Sequence, residues 1–174
     1  FMVQKLVQEG ARVVTLSDSS GHIYDEEGIT EEKLEFILEL KNVFRGRISE
    51  YVKQYPKAVY TAFDPNLGHN KIWDHRADCA FPCATQNEIN AIDASNLVKN
   101  GVKLVAEGSN MSTVPEGVAI FQDSGILFAP GKAANAGGVA TSGLEMSQNS
   151  QRMVWTREDV DRHLRIIMKN IHAS

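Results

Sequence analysis

Amides and hydroxyls recur in this sequence directly after short apolar runs, which is the placement a ligand crevice needs. The longest example covers residues 129–150, Ala-Pro-Gly-Lys-Ala-Ala-Asn-Ala-Gly-Gly-Val-Ala-Thr-Ser-Gly-Leu-Glu-Met-Ser-Gln-Asn-Ser, and follows the apolar run at 125–129, which reads as a buried strand. Small residues there let backbone approach a bound molecule closely, while Asn135 and Ser142 supply fixed hydrogen-bonding groups. Residues 107–113, Glu-Gly-Ser-Asn-Met-Ser-Thr, place a second amide, Asn110, behind another run. Ser112 or Thr113 could equally cap the following helix, and the two roles are compatible. Residues 82–88 set Ala84, Thr85, Gln86 and Asn87 behind Cys79-Ala80-Phe81. That set suits the edge of a ribose or a nicotinamide, or an Asx-type turn with a helix cap. Ser17-Asp18-Ser19-Ser20 ends an earlier run. An acid at such a strand end binds ribose hydroxyls and favours NAD. Serines helped by a cation, here Lys41, Arg45 or Arg47, can instead accommodate a 2′-phosphate. A solvated, turn-forming cluster is the plain alternative.

The elements that must position these groups alternate between apolar runs and amphipathic segments, the signature of parallel βαβ units. Strands are predicted at 12–18, 58–63, 79–81, 102–108 and 126–129, with loop chemistry at 19–28. Helices are predicted over 1–8, stopped by Gly10; from Thr30, which caps a first turn holding Glu31 and Glu32; at 47–55; at 92–99; and from Pro115 to Phe121. Two more close the chain, one from about Gly138 and one from Thr156, where Asp159 sits three residues on. These lengths predict a Rossmann-like, doubly wound, mostly parallel sheet. A Gly-x-Gly-x-x-Gly turn does not occur. The expectation is therefore that the chain starts inside the first crossover helix of a longer protein, whose first strand and glycine turn lie upstream.

Composition narrows the function classes. With 174 residues, 43% hydrophobic and 23% charged, the chain is ordinary for a globular domain. A net charge of −4 argues against a nucleic-acid partner. No apolar run approaches the roughly 18 residues of a membrane span. Cys79 and Cys83 are four apart without a histidine cluster, so they read as core thiols in a reducing compartment rather than as a disulfide or metal pair. Trp73, His69, His75 and His172 carry no distinguishing spacing and read as packing groups.

The run at 129–150 closely resembles the glutamate dehydrogenase family, and so do Pro-Cys-Ala-Thr-Gln-Asn-Glu at 82–88 and Ser-Asp-Ser-Ser-Gly at 17–21. The family pattern near Asn110 is Glu-Gly-Ala/Ser-Asn-Met-Pro-Thr-Thr; here Ser112 and Val114 depart from it, and Asn110 stays in register. The resemblance covers essentially the whole chain and implies reversible oxidative deamination of L-glutamate to 2-oxoglutarate and ammonia. Residues 1–150 would form part of the dinucleotide-binding domain, and 151–174 a helix leading toward the hinge. The resemblance places Ser17, Asp18, Ser19, Ala84, Thr85, Asn87 and Asn110 along the nucleotide, and Asn135 on the nicotinamide carboxamide. Val139 and Ser142 would face the substrate, Ser142 reaching its distal carboxylate. The catalytic lysine and aspartate belong to another domain in that family, so Lys132 is read as structural or as a phosphate neighbour. No metal site is expected. The implied cofactor is NADP, with NAD possible, and the implied assembly is a cytoplasmic homo-hexamer. The competing readings are a branched-chain or aromatic amino-acid dehydrogenase, which would want apolar groups at Ser142, and a non-catalytic nucleotide-binding fragment.

Overall fold

The computed structural model describes residues 1–174 as two three-stranded sheets, each with its own helices and core. After helix α1 (Met2–Gln8), strands β1 (Thr15–Asp18) and β2 (Gly21–Tyr24) form a hairpin. Helix α2 (Glu31–Asn42), a single turn at Ile48–Glu50 and the short helix α3 (Tyr51–Gln54) lead to β3 (Val59–Ala62), which pairs antiparallel with β2. The second sheet is parallel: β4 (Cys79–Ala80), β5 (Leu104–Ala106) and β6 (Leu127–Ala129) lie side by side in chain order. Helices α4 (Ala91–Lys99) and α5 (Pro115–Asp123) are its crossovers, and α6 (Gly131–Ala134), α7 (Ala136–Gln151) and α8 (Arg157–Ala173) follow.

Residues 19–28 are therefore not simply a loop. Asp18 accepts hydrogen bonds from the Ser20 amide and hydroxyl, which closes a two-residue turn and feeds β2 back along β1. Gly21 is required there: its φ is +154°, and a Cβ would lie 2.3 Å from the Thr61 carbonyl oxygen. The structure is consequently mixed α/β, with an antiparallel sheet (β1–β3) and a separate parallel sheet (β4–β6) in place of one doubly wound, mostly parallel sheet.

The helix starts expected at Thr30, Pro115 and Thr156 form, whereas neither Ser112 nor Thr113 caps α5, whose N-cap is Val114. Thr30 accepts from the Lys33 amide, and Pro115 opens α5. Thr156 accepts from the Asp159 amide while the Asp159 carboxylate reaches back to Thr156. Ile23, Leu34, Ile37 and Tyr51 pack one core beneath the first sheet. Within it Asp25 is held below its usual range: burial alone would raise it, but the Lys33 ammonium and the Tyr51 hydroxyl outweigh burial. Ile89, Ala94, Leu97, Val105 and Phe121 fill the other core, between β5 and helices α4 and α5. The two halves meet at His22 of β2, whose Nε2 lies 3.0 Å from Nε2 of His75, with Tyr24 stacked on the His75 ring.

Two expectations of burial fail. Cys79 and Cys83 are exposed free thiols: Cys79 sits in β4, a two-residue strand at a sheet edge, and Cys83 lies in the loop that follows. Leu127 is 69% exposed because β6 is the opposite edge. No helix is long and apolar enough to cross a membrane.

Candidate functional site

The carboxyl ends of β4, β5 and β6 open on one side, the position where parallel α/β sheets bind ligands. A cleft of about 830 Å³ there is lined by Ala84, Thr85, Gly108, Ser109, Asn110, Lys132, Asn135, Gly138 and Val139. A second cleft of about 520 Å³ is lined by Ser17, Asp18, Ser19, Asp64, His69, Trp73, Asn87 and Glu88, and it shares Ala84 and Thr85 with the first. The two form one groove running from the turn after β1, past the loop after β4, to the loops after β5 and β6.

At its first end the Ser/Asp cluster is tightly built. Asp18 Oδ1 accepts from the Ser20 amide and hydroxyl, at 2.8 and 2.6 Å; Oδ2 accepts from Lys41 Nζ and the Ile48 amide, both at 2.8 Å. Burial works to raise the Asp18 carboxyl, but these four donors hold it well below the usual carboxylate range. Four donors fill the acceptor sites of a carboxylate, so Asp18 here fixes the turn rather than offering a vacant acceptor to a ribose. Among the candidate cations the structure distinguishes clearly. Lys41 is occupied by Asp18 and the Gly46 carbonyl. Arg47 donates to Ser19 Oγ at 2.7 Å, which makes an exposed pair of donors beside the groove.

In the middle, Glu88 Oε2 accepts from the amides of Ala84 and Thr85, at 2.9 and 3.0 Å, and shapes the loop after β4. Burial raises the Glu88 carboxyl despite those bonds. Asn87 lies on the cleft wall with a left-handed backbone, φ 55°, and its amide donates to the Met111 carbonyl.

At the far end, Asn135 Nδ2 donates to Asn110 Oδ1 at 2.9 Å. This pairing leaves Asn135 Oδ1 as an acceptor and Asn110 Nδ2 as a donor. A primary carboxamide has the complementary pair. Ser112, which stands where a proline was expected, is wholly buried and anchors the turn through its hydroxyl to Ser109 and to the Pro82 carbonyl. Glu107, whose side chain drew no reading from the sequence, is buried and accepts from the amides of Thr113 and Gly131. Lys132 lines the cleft as well.

The structure does not bring every expected group into the groove. Val139 lines the far end of the groove and is 72% exposed. Ser142 is one turn further along α7, exposed, with its hydroxyl 3.4 Å from the Gly138 carbonyl. It shares a helical face with Val139 but not the cleft wall. The residues contain no cluster of three or more metal-ligating side chains.

A parallel sheet with one polar groove across its strand ends is the architecture of a nucleotide-binding α/β domain. The sequence profile of the glutamate/leucine/phenylalanine/valine dehydrogenases matches residues 1–174. The chain belongs to that family. It is 55% identical over 174 residues to an NAD(P)-specific glutamate dehydrogenase of Xylanibacter ruminicola, covering all of this chain and 38% of that protein. An NADP-specific glutamate dehydrogenase of Haemophilus influenzae is 50% identical, over all of this chain and 37% of the relative. One from Porphyromonas gingivalis named NAD-specific is 48% identical over 172 residues, 98% of this chain and 37% of its own length. The crystal structure of Plasmodium falciparum glutamate dehydrogenase superposes with a TM-score of 0.85 at 47% identity, over 98% of this chain and 35% of that one. The chain thus spans little more than a third of the length of these relatives.

Proposed function

We propose that this chain is the coenzyme-binding part of a glutamate dehydrogenase that reversibly converts L-glutamate to 2-oxoglutarate and ammonia and prefers NADP. The observation that carries the reading is the groove itself, with a phosphate-type donor pair at one end and a carboxamide-type pair at the other. Arg47 and Ser19 would hold the 2′-phosphate, a charged ligand that rewards charge-assisted bonds. Asp18 does not repel that phosphate strongly, because Lys41 and the Ile48 amide already compensate its charge. Ala84 and Thr85 pass along the middle of the dinucleotide. Asn135 Oδ1 and Asn110 Nδ2 would grip the carboxamide and so fix which face of the ring meets substrate. The nicotinamide, when bound, supplies the hydride chemistry. Val139 and Ser142 would face the substrate across a cleft completed by the rest of the enzyme. That portion would also contribute the groups acting on the carbonyl and ammonia. A cytoplasmic homo-hexamer is the assembly and setting that the family resemblance supports.

The test uses the complete enzyme. Arg47→Ala should lower kcat/KM for NADP by about tenfold to a hundredfold, the value of a hydrogen bond to a charged group, and leave NAD within twofold. Equal losses with both coenzymes would contradict the 2′-phosphate assignment. Faster reduction of a branched-chain 2-oxo acid than of 2-oxoglutarate would move the substrate to the apolar amino acids.

A further inference from the structure

The reading of the groove makes no use of one buried acidic side chain beside it. Glu107 follows β5, is 4% exposed, and has no cation within ion-pair distance. Its carboxylate is satisfied by backbone alone: Oε1 accepts from the Thr113 amide at 2.8 Å and Oε2 from the Gly131 amide at 2.7 Å. A buried carboxylate is costly to keep, and a side chain that packed without charge would avoid that cost. What this one does is tie two loops together. Thr113 closes the loop that carries Asn110, and Gly131 opens the short helix α6 that ends at Asn135. Those two amides meet at 2.9 Å.

The junction is close on every side. A Cβ on Gly131 would lie 2.8 Å from the Ser109 carbonyl oxygen, 3.1 Å from Asn135 Nδ2 and 3.3 Å from Glu107 Oε2. Met111, next to Asn110, is held in the left-handed region at φ 51°. The loops therefore have little slack, and the separation of the amides is set where the carboxylate clamps their backbones.

We infer that Glu107 is a positioning residue for nicotinamide recognition: it fixes the spacing of the Asn110–Asn135 pair by holding Thr113 and Gly131 on one carboxylate. The inference rests on the coenzyme reading of the groove. A glutamine at 107 keeps one acceptor but turns an NH2 toward the other backbone N–H, so one loop must move away. Only the nicotinamide end of the groove should notice, because the Ser19–Arg47 end is built on other elements.

The experiment measures binding of NADP and of 2′-phospho-ADP-ribose, the same molecule without its nicotinamide, to the complete enzyme and its variants. Glu107→Gln should weaken NADP about tenfold and leave 2′-phospho-ADP-ribose within twofold. It should lower kcat while leaving the glutamate KM within twofold. Glu107→Asp, which restores the charge, should recover part of the loss. Gly131→Ala, which disturbs the same junction and keeps the carboxylate, should show the same selective loss. Parallel weakening of both ligands, or of neither, would overturn the positioning role. An unsubstituted enzyme that does not bind NADP would overturn the coenzyme reading as well, so the two failures are distinguishable.

Discussion

Replacing Asp18 by asparagine should destabilise the protein more than it alters any single contact with coenzyme. The carboxylate is 11% exposed and accepts four hydrogen bonds, two on each oxygen. An asparagine places an NH2 where one of those oxygens stood, so whichever way it turns it faces two donors. Hydrogen bonds to a charged, buried acceptor contribute roughly 1.5–3 kcal/mol each. Lys41 is 35% exposed and keeps its bond to the Gly46 carbonyl, so solvent screening reduces its share. The expected loss is about 2–4 kcal/mol, read as a drop in urea or thermal midpoint of the complete enzyme. The pH dependence has a definite sign. Asp18 is depressed from an ordinary value of 3.8, so its contribution is fully present above that value and is lost as pH falls below it. The gap between the two proteins should therefore be constant near neutrality and narrow below about pH 4. NADP binding should weaken too, because Arg47 immediately precedes the Ile48 amide that Asp18 holds. An asparagine variant of unchanged stability that loses affinity for NAD in particular would refute this reasoning and make Asp18 a ribose acceptor.

Other outcomes follow from the same structure. Ser142→Ala in the complete enzyme should raise the glutamate KM and reduce kcat/KM about tenfold or more, with coenzyme binding unchanged and relative activity on monocarboxylic amino acids increased. Unchanged glutamate kinetics would remove Ser142 from the substrate wall. Burial, reinforced by the facing His75, lowers His22 to about 4, so the folded protein keeps it neutral where the unfolded chain would protonate it. Stability should fall as pH drops from about 6.5 toward 4, by up to about 3 kcal/mol, and His22→Gln should flatten that slope when urea midpoints are compared across pH.

The parts of the fold that were legible in the sequence are those written in local chemistry. Thr30, Pro115 and Thr156 mark helix starts because capping depends on neighbours within a few residues. The strand before each amide was legible because apolar runs bounded by polar residues have few other uses. The hairpin was not. In β2 both His22 and Ile23 are buried, so no alternation shows, and the partner that covers His22 lies 53 residues away. Nor did Cys79 betray its exposure, since an edge strand is defined by what fails to pair with it. Within the site, Asn110 and Asn135 stood out by type and place. Glu107 and Glu88 did not, because their partners are backbone amides, which every residue carries and no sequence distinguishes. Asp18 was visible, yet its four bonds to Ser20, Lys41 and Ile48 were not.

A structure of the complete enzyme with NADP bound tests the central claim most directly. The account predicts the 2′-phosphate within hydrogen-bonding distance of Ser19 and Arg47, the carboxamide on Asn135 Oδ1 and Asn110 Nδ2, and Asp18 still bonded to Ser20, Lys41 and Ile48. A dinucleotide lying elsewhere, or one reversed with its nicotinamide beside Ser19, would contradict it.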